Sequence, residues 1–264
     1  MSLYLSIIRM YIKSTMEYRL SFIAGFVGNI IRKIAEYISI WILLSKFNMI
    51  DSWTFMDVLM LYNINQFAIS FSGMIFWKPM LQLEEEVHKG SLDTLMTKPL
   101  GLFSHLVCKN FDLSFLANLS LSTVIFIYYF AKANIAWSPL KILMLLIIIF
   151  GAILIYSALH IFIGTLSFWI VKIDSVFSTI MDMRQFVYYP ITIYSKVVQI
   201  LLTYVFPIAF VNYYPMLYLL GKTDKTSMNV ALFPMISLLL GIVLYTLSYL
   251  FFTFGSRRYT STGN

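Results

Sequence analysis

Long apolar segments separated by short polar interruptions cover almost the whole chain. A helix needs about 20 predominantly apolar residues to cross the hydrocarbon core of a bilayer. Six stretches meet that requirement, so the pattern predicts an all-α integral membrane protein with six transmembrane helices in a single transmembrane domain, residues 1–264. The predicted spans are residues 20–45, 57–77, 107–131, 139–171, 174–195 and 228–254.

The fourth predicted span is unusually long, because no charged residue lies between Lys141 and Lys172. A hydrophobic stretch longer than the bilayer is thick has to tilt or bend. Gly151 and Gly164 are the predicted points of adjustment.

Residues 1–19, before the first span, have a different pattern. Apolar positions recur at helical spacing, and charged residues follow them one position further on. This pattern predicts a basic amphipathic helix in the cytoplasmic interface of the membrane, with a polar lead-in to the first span as the alternative. The same charges interrupt any apolar core, so no signal peptide is predicted. The positions are Leu5, Ile8, Ile12 and Met16, and Arg9, Lys13 and Glu17.

Residues 197–221 are apolar enough to cross a membrane, but Pro207 and Pro215 divide them, and Asn212 makes them amphiphilic. Proline-broken backbone at membrane depth requires protein or water to satisfy the freed backbone groups. We therefore predict a re-entrant helical hairpin on the outer side. A seventh full span, which would move the C-terminus outside, is the alternative.

The longest polar interruption, residues 82–99, follows the second predicted span and holds four of the twelve acidic residues of the chain. Residues 84–88 are predicted to continue the helix of that span. Gly90 is predicted to end it, because glycine adopts the left-handed conformation that other residues resist.

A second short helix is predicted directly after this break. Ser91 is the predicted N-cap and Pro99 ends the helix. Leu92 and Leu95 share one face, flanked by Met96. The pattern predicts an amphipathic helix that offers an apolar ridge to a partner in the aqueous phase; a solvated loop without a partner is the alternative.

Composition excludes a soluble domain. Hydrophobic residues make up 60% of the chain, charged residues 12%, and the mean hydropathy is +0.82. A soluble domain of 264 residues could not bury that much apolar surface. Cys108 is the single cysteine, so an intrachain disulfide is excluded, and the scattered histidines do not indicate a metal site. No nucleic-acid partner is expected.

The distribution of lysine and arginine predicts the orientation. With both termini in the cytoplasm, eleven of these residues lie on the cytoplasmic side and six on the outer side, and Arg32 and Lys33 lie within the first span. Cytoplasmic loops carry an excess of Lys and Arg. We therefore expect residues 82–99 to face the cytoplasm.

The first span contains three charged residues near its middle: Arg32, Lys33 and Glu36. Each such charge costs about 2.5–3.5 kcal/mol at the centre of an inserting helix. Glu36 can pair with Arg32 at i,i+4 or with Lys33 at i,i+3, and one positive charge is left over. Together with Asn29, this charge is hypothesised to line a translocation pathway or the interface with a second subunit. A structural ion cluster is the alternative.

The second span offers Asn63 and Gln66 on one face. Polar side chains in such positions commonly hydrogen-bond neighbouring helices. A contact with substrate is the other interpretation.

The interruption reads Glu-Glu-Glu-Val-His-Lys-Gly-Ser-Leu-Asp-Thr-Leu-Met-Thr-Lys-Pro over residues 84–99. With a basic N-terminal helix and two spans before it and four spans after it, this order resembles the permease subunits of type-2 ATP-binding-cassette exporters. The later Pro-rich run, from Tyr189-Pro190-Ile191 to Leu219-Leu220-Gly221, is similar to a branch of those permeases that is usually encoded beside a second, related permease and an ATPase.

The resemblance implies a function and a set of partners. It implies that the loop forms a coupling helix seated in a cytoplasmic ABC ATPase dimer, that a second permease subunit (a paralogue or a second copy) completes the transporter, and that the chain is a multi-pass protein of the bacterial cytoplasmic membrane. No cofactor would be bound by this chain, since ATP and Mg²⁺ would belong to the ATPase. The implied coupling residues are Glu84, Glu85, Glu86, Gly90, Leu92, Asp93, Leu95, Met96 and Pro99, with Met96 where leucine is usual.

The chain itself has no motif for ATP binding. A phosphate-binding loop needs a glycine five positions before Gly-Lys-Ser/Thr, and the tripeptide that begins at Gly221 has Met216 at that position. ATP hydrolysis is therefore assigned to a separate protein.

Two other functional classes fit the sequence less well. An ion-coupled secondary transporter, the alternative, should show inverted repeats and acidic residues within its spans, and Glu36 is the only isolated carboxylate near mid-span. A membrane-embedded enzyme should carry a catalytic motif such as His-Glu-x-x-His or Gly-x-Ser-x-Gly, and none occurs.

Overall fold

The structure is a computed structural model, and it describes residues 6, 9, 10, 13, 14, 17–47, 53–98, 101–132, 137–223 and 229–260. Every regular secondary-structure element in this part of the chain is a helix or a helical turn. Most of the predicted interfacial helix, residues 1–19, lies outside the described residues, and so does Pro99.

Ten α-helices are present in the described residues, joined by short turns of 3-10 helix and one π-helical turn. The helices are α1 (Arg19–Phe47), α2 (Phe55–His88), α3 (Ser91–Met96), α4 (Leu102–Lys109), α5 (Leu116–Lys132), α6 (Pro139–Thr165), α7 (Asp174–Asp182), α8 (Lys196–Ile200), α9 (Tyr213–Leu220) and α10 (Phe233–Arg258). The 3-10 turns are Leu113–Phe115, Leu166–Phe168, Met183–Val187, Ile191–Ile193, Pro207–Phe210 and Val230–Leu232, and the π-helix is Leu201–Val205.

Four segments of the described residues are long and apolar enough to cross a membrane: Phe55–His88, Leu113–Lys132, Pro139–Phe168 and Val230–Arg258. They correspond to the predicted second, third, fourth and sixth spans, so the all-helical membrane class is confirmed. The third segment begins later than predicted, because Asp112 caps a new turn by accepting a hydrogen bond from the backbone N–H of Ser114.

α1 forms where the first span was predicted. It is 29 residues long, or about 44 Å, which is enough to cross a bilayer. It is not among the four apolar segments, since Arg32, Lys33 and Glu36 lie in its central turns. α1 packs against α2 and α5.

The predicted fifth span, residues 174–195, is not a continuous helix. α7 has nine residues, or about 14 Å, and the 3-10 turn Met183–Val187 follows it. Pro190 prevents the helical turns from continuing uninterrupted to residue 195, because proline disfavours helical backbone in the residue before it. Residues 174–188, the broken segment, still run along α2: the Phe177 ring packs on Trp77 and the Tyr188 ring on Tyr62, each with 4.8 Å between ring centroids.

Residues 196–220 form two helical arms that meet at an angle of 73° at Pro207. Contacts from the second arm and from the residue shortly after it lie near the start of α2. The Asn212 amide donates to the carbonyl oxygens of Leu61 (3.0 Å) and Val187 (2.6 Å), and Lys222 forms an ion pair with Asp57 at 2.7 Å. The second arm and Lys222 therefore pack beside the start of α2.

Glycines allow α6 to approach its neighbours closely. An added Cβ at Gly241 of α10 would lie 2.8 Å from the carbonyl oxygen of Gly151, and one at Gly164 would lie 2.6 Å from Cβ of Met80 in α2. Gly151 and Gly164 were predicted as points where the helix adjusts its path. They are instead contact points, and α6 runs as one helix from Pro139 to Thr165. Small residues at such positions bring backbones together.

Candidate functional site

The polar interruption forms a compact structure at the end of α2, which we call the docking element: residues 84–98 together with α4. α2 continues to His88, and Gly90 follows in the left-handed conformation with φ of 69°, as predicted. The prediction of Ser91 as N-cap is wrong. α3 begins at Ser91, and its hydroxyl donates to the carboxylate of Glu86 instead.

The three consecutive glutamates have three different environments. Glu84 accepts a hydrogen bond from the backbone N–H of Ile173 at 2.8 Å. Glu86 forms an ion pair with Lys109 of α4 at 2.8 Å, with only 13% of its side chain exposed. Glu85 is 60% exposed and pairs with Lys89 one turn further on, which raises the pKa of Lys89. The family resemblance implies that all three take part in ATPase coupling. In the structure, Glu84 and Glu86 instead form contacts within this chain.

The apolar face of α3 points into the protein. Leu92 is 0% exposed and Leu95 is 3% exposed, whereas Met96 is 43% exposed. The predicted ridge of three apolar residues for a partner is therefore wrong for the two leucines. They form the i,i+3 stripe that attaches a six-residue helix to α2 and α4, because so short a helix is not stable without tertiary packing.

A mostly polar surface of the docking element remains free for contact, and we call it the docking face. Asp93, assigned to coupling by the resemblance, is partly buried beside it. The exposed residues are Glu85, His88, Lys89, Thr94, Met96, Thr97 and Lys98.

The charges of α1 form an ordered cluster. Of the two pairings open to Glu36, the structure contains the one with Lys33, at 2.6 Å. The hydroxyl of Tyr62 in α2 also donates to Glu36. Arg32 donates to Asn29 at 3.2 Å, and Asn29 donates to the carbonyl oxygen of Ser114 at 3.5 Å.

A cavity of about 120 Å³ lies beside this cluster, between α1, α2, the start of α5 and the broken segment. We call it the charged cavity. Its aromatic walls are Trp77 and Phe115. Its polar walls are Arg32, Lys33, Gln66, Ser70, Asn118 and Arg184.

Arg184 was missed as a member of this site. In the sequence it lies within the predicted fifth span, residues 174–195, and 151 positions from Lys33. The broken segment places it beside the charges of α1 instead. The one available signal was that Arg184 and Asp182 are charged residues inside a predicted span.

Asn63 and Gln66 were predicted to share one face of the second span, and the structure gives them different surroundings. Asn63 accepts from the Tyr37 hydroxyl at 2.7 Å and donates to the carbonyl oxygen of Ser122 at 3.1 Å, so it joins α1, α2 and α5. Gln66 lines the charged cavity, and its Nε2 has no hydrogen-bond partner within the described residues.

A family model described as "ABC-2 family transporter protein" matches residues 30–263. The chain belongs to this family. The ABC-2 match includes the charged cluster of α1, the docking element and the arms that meet at Pro207. No curated protein matches the chain.

Membership has direct consequences for the ABC-2 chain. It is a multi-pass membrane protein and a permease subunit of an ABC transporter. Such subunits are the transport component, and ATP hydrolysis belongs to a separate subunit with which the family generally works.

Proposed function

We propose that this chain couples ATP hydrolysis by a cytoplasmic ABC ATPase dimer to the export of a substrate across the bacterial cytoplasmic membrane. ATP and Mg²⁺ bind to the ATPase, and this chain binds neither. The observation that carries the proposal is the hydrogen bond between Glu84 and the backbone of Ile173. It links the docking element directly to the residue that precedes the broken segment.

The docking element is built to transmit displacement. α3 is held by two buried leucines, and α4 is held by the ion pair between Glu86 and Lys109. α2 is continuous over 34 residues, about 51 Å, although Pro79 inside it removes one backbone hydrogen bond, so a push on its end is passed along the helix. An ATPase that contacts the docking face differently before and after hydrolysis would shift the permease between two states, because only differential contacts can do so.

The Glu84 contact provides a second route by which displacement of the docking element reaches the membrane-embedded helices. The broken segment has one short α-helix and one 3-10 turn, so it can change shape at lower cost than a continuous helix. Movement of Glu84 with α2 would pull on Ile173 and reposition Arg184, which lines the charged cavity. In this mechanism the broken segment lines the translocation pathway and changes its position during transport.

We further propose a dimer of permease subunits, formed with a second copy or with a related chain. Arg32 lies near the middle of α1 and is exposed, although lipid strongly disfavours a charge at that depth. A partner subunit or a water-filled pathway at this face would supply polar surroundings.

The topology that fits this proposal has six crossings with both termini in the cytoplasm. α1 and the broken segment supply the two crossings that are not apolar helices throughout. Residues 197–221 form the re-entrant hairpin on the outer side, which is supported by the contacts of Asn212 and Lys222 at the start of α2.

The test is co-purification with an ATPase encoded beside this chain. We expect Lys98→Glu and Met96→Glu to release the ATPase, because both change the docking face. Lys196→Glu is the matched control, since Lys196 is also exposed but lies on the hairpin. Substrate export should require ATP and persist when the proton gradient is collapsed. Dependence on the gradient alone would favour the ion-coupled secondary transporter.

Accessibility labelling supplies an independent check. Single cysteines at Glu85 and Lys98 should react with a membrane-impermeant reagent only when it is added from the cytoplasmic side. Labelling of these positions from outside would refute both the topology and the docking role.

A further inference from the structure

The charged cavity has an excess of positive charge. Arg32, Lys33 and Arg184 line it, while Glu36 is engaged by Lys33 and by the hydroxyl of Tyr62. Arg32 contacts the neutral Asn29. Within the described residues, neither Arg32 nor Arg184 has an acidic partner, so their positive charge is not compensated by this part of the chain.

Hydrogen-bond donors around the same cavity also lack partners. Gln66 is 1% exposed and Ser70 is 0% exposed, and neither the Nε2 of Gln66 nor the hydroxyl of Ser70 has a partner in the described residues. The Nε of Arg184 is likewise unpartnered there. Buried polar groups are normally satisfied, because a polar group left without a partner in the interior destabilises the protein. The Oδ1 of Asn118 also has no partner within the described residues, and a flip of that amide would present its NH2 group instead. The groups that converge on this space are therefore mainly donors, and they fit a ligand made of acceptors.

The size and surroundings of the cavity narrow the ligand further. About 120 Å³ holds roughly four water molecules, which is room for a compact anion but not for a large amphiphile. Outside it, Ile31, next to Arg32 in the sequence, and Ile34 share one face of α1, with 62% and 41% of their surfaces exposed. An anionic group can therefore enter the cavity while an attached apolar chain stays on the exposed face of α1.

We propose that the charged cavity binds a phosphoryl oxyanion, carried by a phosphate-bearing amphiphile that is the cargo of the transporter. That this phosphoryl group belongs to the transported substrate rests on the proposed function. Arginine guanidinium groups match the oxygen geometry of phosphate, and charge-assisted hydrogen bonds are the strongest that a side chain can offer. Gln66 and Ser70 supply neutral donors, and the Asn118 amide can donate or accept.

Binding to the purified full chain tests this proposal without the ATPase. One arm uses phosphatidylcholine nanodiscs with and without phosphatidic acid, and a second arm uses inorganic phosphate in detergent. We expect Arg184→Gln to weaken binding at least about tenfold and Ser70→Ala to weaken it about two- to tenfold, from the usual strengths of charged and neutral hydrogen bonds. Arg257→Gln removes the same charge from an exposed position and is the matched control.

The arms separate the two sources of phosphate. Binding of phosphatidic acid that responds to Arg184→Gln and not to Arg257→Gln supports an amphiphile headgroup. Equally tight binding of inorganic phosphate supports the oxyanion site and overturns the amphiphile. Binding that is absent, or equally weakened by Arg184→Gln and Arg257→Gln, overturns the site. Ser70→Ala is too small a change to unfold the chain, so it decides the outcome if Arg184→Gln is unstable. Co-purification with the ATPase can succeed in any of these cases, so the proposed function is tested separately.

Discussion

The carboxylate of Glu84 and the backbone N–H of Ile173 are joined by a hydrogen bond of 2.8 Å, although 89 positions separate them in the sequence. Glu84 lies in the last turns of α2, and Ile173 immediately precedes α7. The contact is thus a mechanical link between the element proposed to receive the ATPase and the segment that carries Arg184 into the membrane.

Loss of this link should uncouple the transporter. We expect Glu84→Ala to reduce export at least about tenfold while the ATPase still binds and hydrolyses ATP, because a charge-assisted hydrogen bond contributes about 1.5–3 kcal/mol. Glu84→Gln keeps an acceptor oxygen and should retain much of the activity. Export and ATP hydrolysis measured in the same proteoliposomes provide the comparison. Equal loss of both activities would mean that Glu84 acts in assembly rather than in coupling.

Leu92 and Met96 should separate stability from binding, since Leu92 is fully buried whereas Met96, one turn further on, is 43% exposed. Leu92→Ala should destabilise the docking element by about 2–5 kcal/mol, the usual range for a buried leucine. Met96→Ala should leave thermal unfolding unchanged and weaken ATPase binding. Thermal unfolding and pull-down assays on both variants test this. If Met96→Ala lowers the stability as much as Leu92→Ala does, the docking face is wrongly placed.

Lys33 and Glu36 should behave as a coupled pair. Breaking a fully buried ion pair costs about 3–5 kcal/mol, and less is expected here because 32% of the Glu36 side chain is exposed. Lys33→Met and Glu36→Gln should each destabilise the protein more than the double variant does. A double-mutant cycle of unfolding free energies measures the coupling. Additive effects would show that the two charges act independently.

The contact between α6 and α10 should not tolerate a side chain in place of its glycines. Gly241→Ala would place a Cβ 2.8 Å from the carbonyl oxygen of Gly151, so we expect a loss of about 1–3 kcal/mol. Gly25→Ala is the control, because nothing lies within 4 Å of a Cβ built there. Alanine should even favour that helix by about 0.5–1 kcal/mol. The midpoints of thermal unfolding should fall for the first variant only.

His105 should make the docking element sensitive to acid. Burial lowers its pKa below the ordinary value, Lys98 and Lys109 lower it further, and Glu86 opposes them. A histidine with a depressed folded-state pKa binds fewer protons folded than unfolded, so stability is lost as the pH falls below about 6.5. His105→Asn, which does not titrate, should lose less stability between pH 7.5 and 5.5. Parallel unfolding curves for the two proteins would contradict this prediction.

Local pattern accounts for the features that were predicted correctly. Apolar length located the four apolar segments, because the bilayer sets that length whatever the helices pack against. Gly90 could be predicted as left-handed, since this conformation is a local property of a residue without Cβ. The breaks around Pro190 and Pro207 follow from the missing N–H and fixed φ of proline, but the sequence alone could not separate a broken span from a whole one.

The sequence by itself determined the helical membrane class, the polar interruption and the family resemblance, because all three follow from residue type and spacing along the chain. Only the tertiary structure decided which glutamates face inward, which residue pairs with Glu36 and that Arg184 meets the charges of α1. The physical reason is that these contacts join residues on different helices, and their geometry depends on how the helices pack. A periodic pattern shows which face of a helix is polar, but not which charge of another helix lies opposite it.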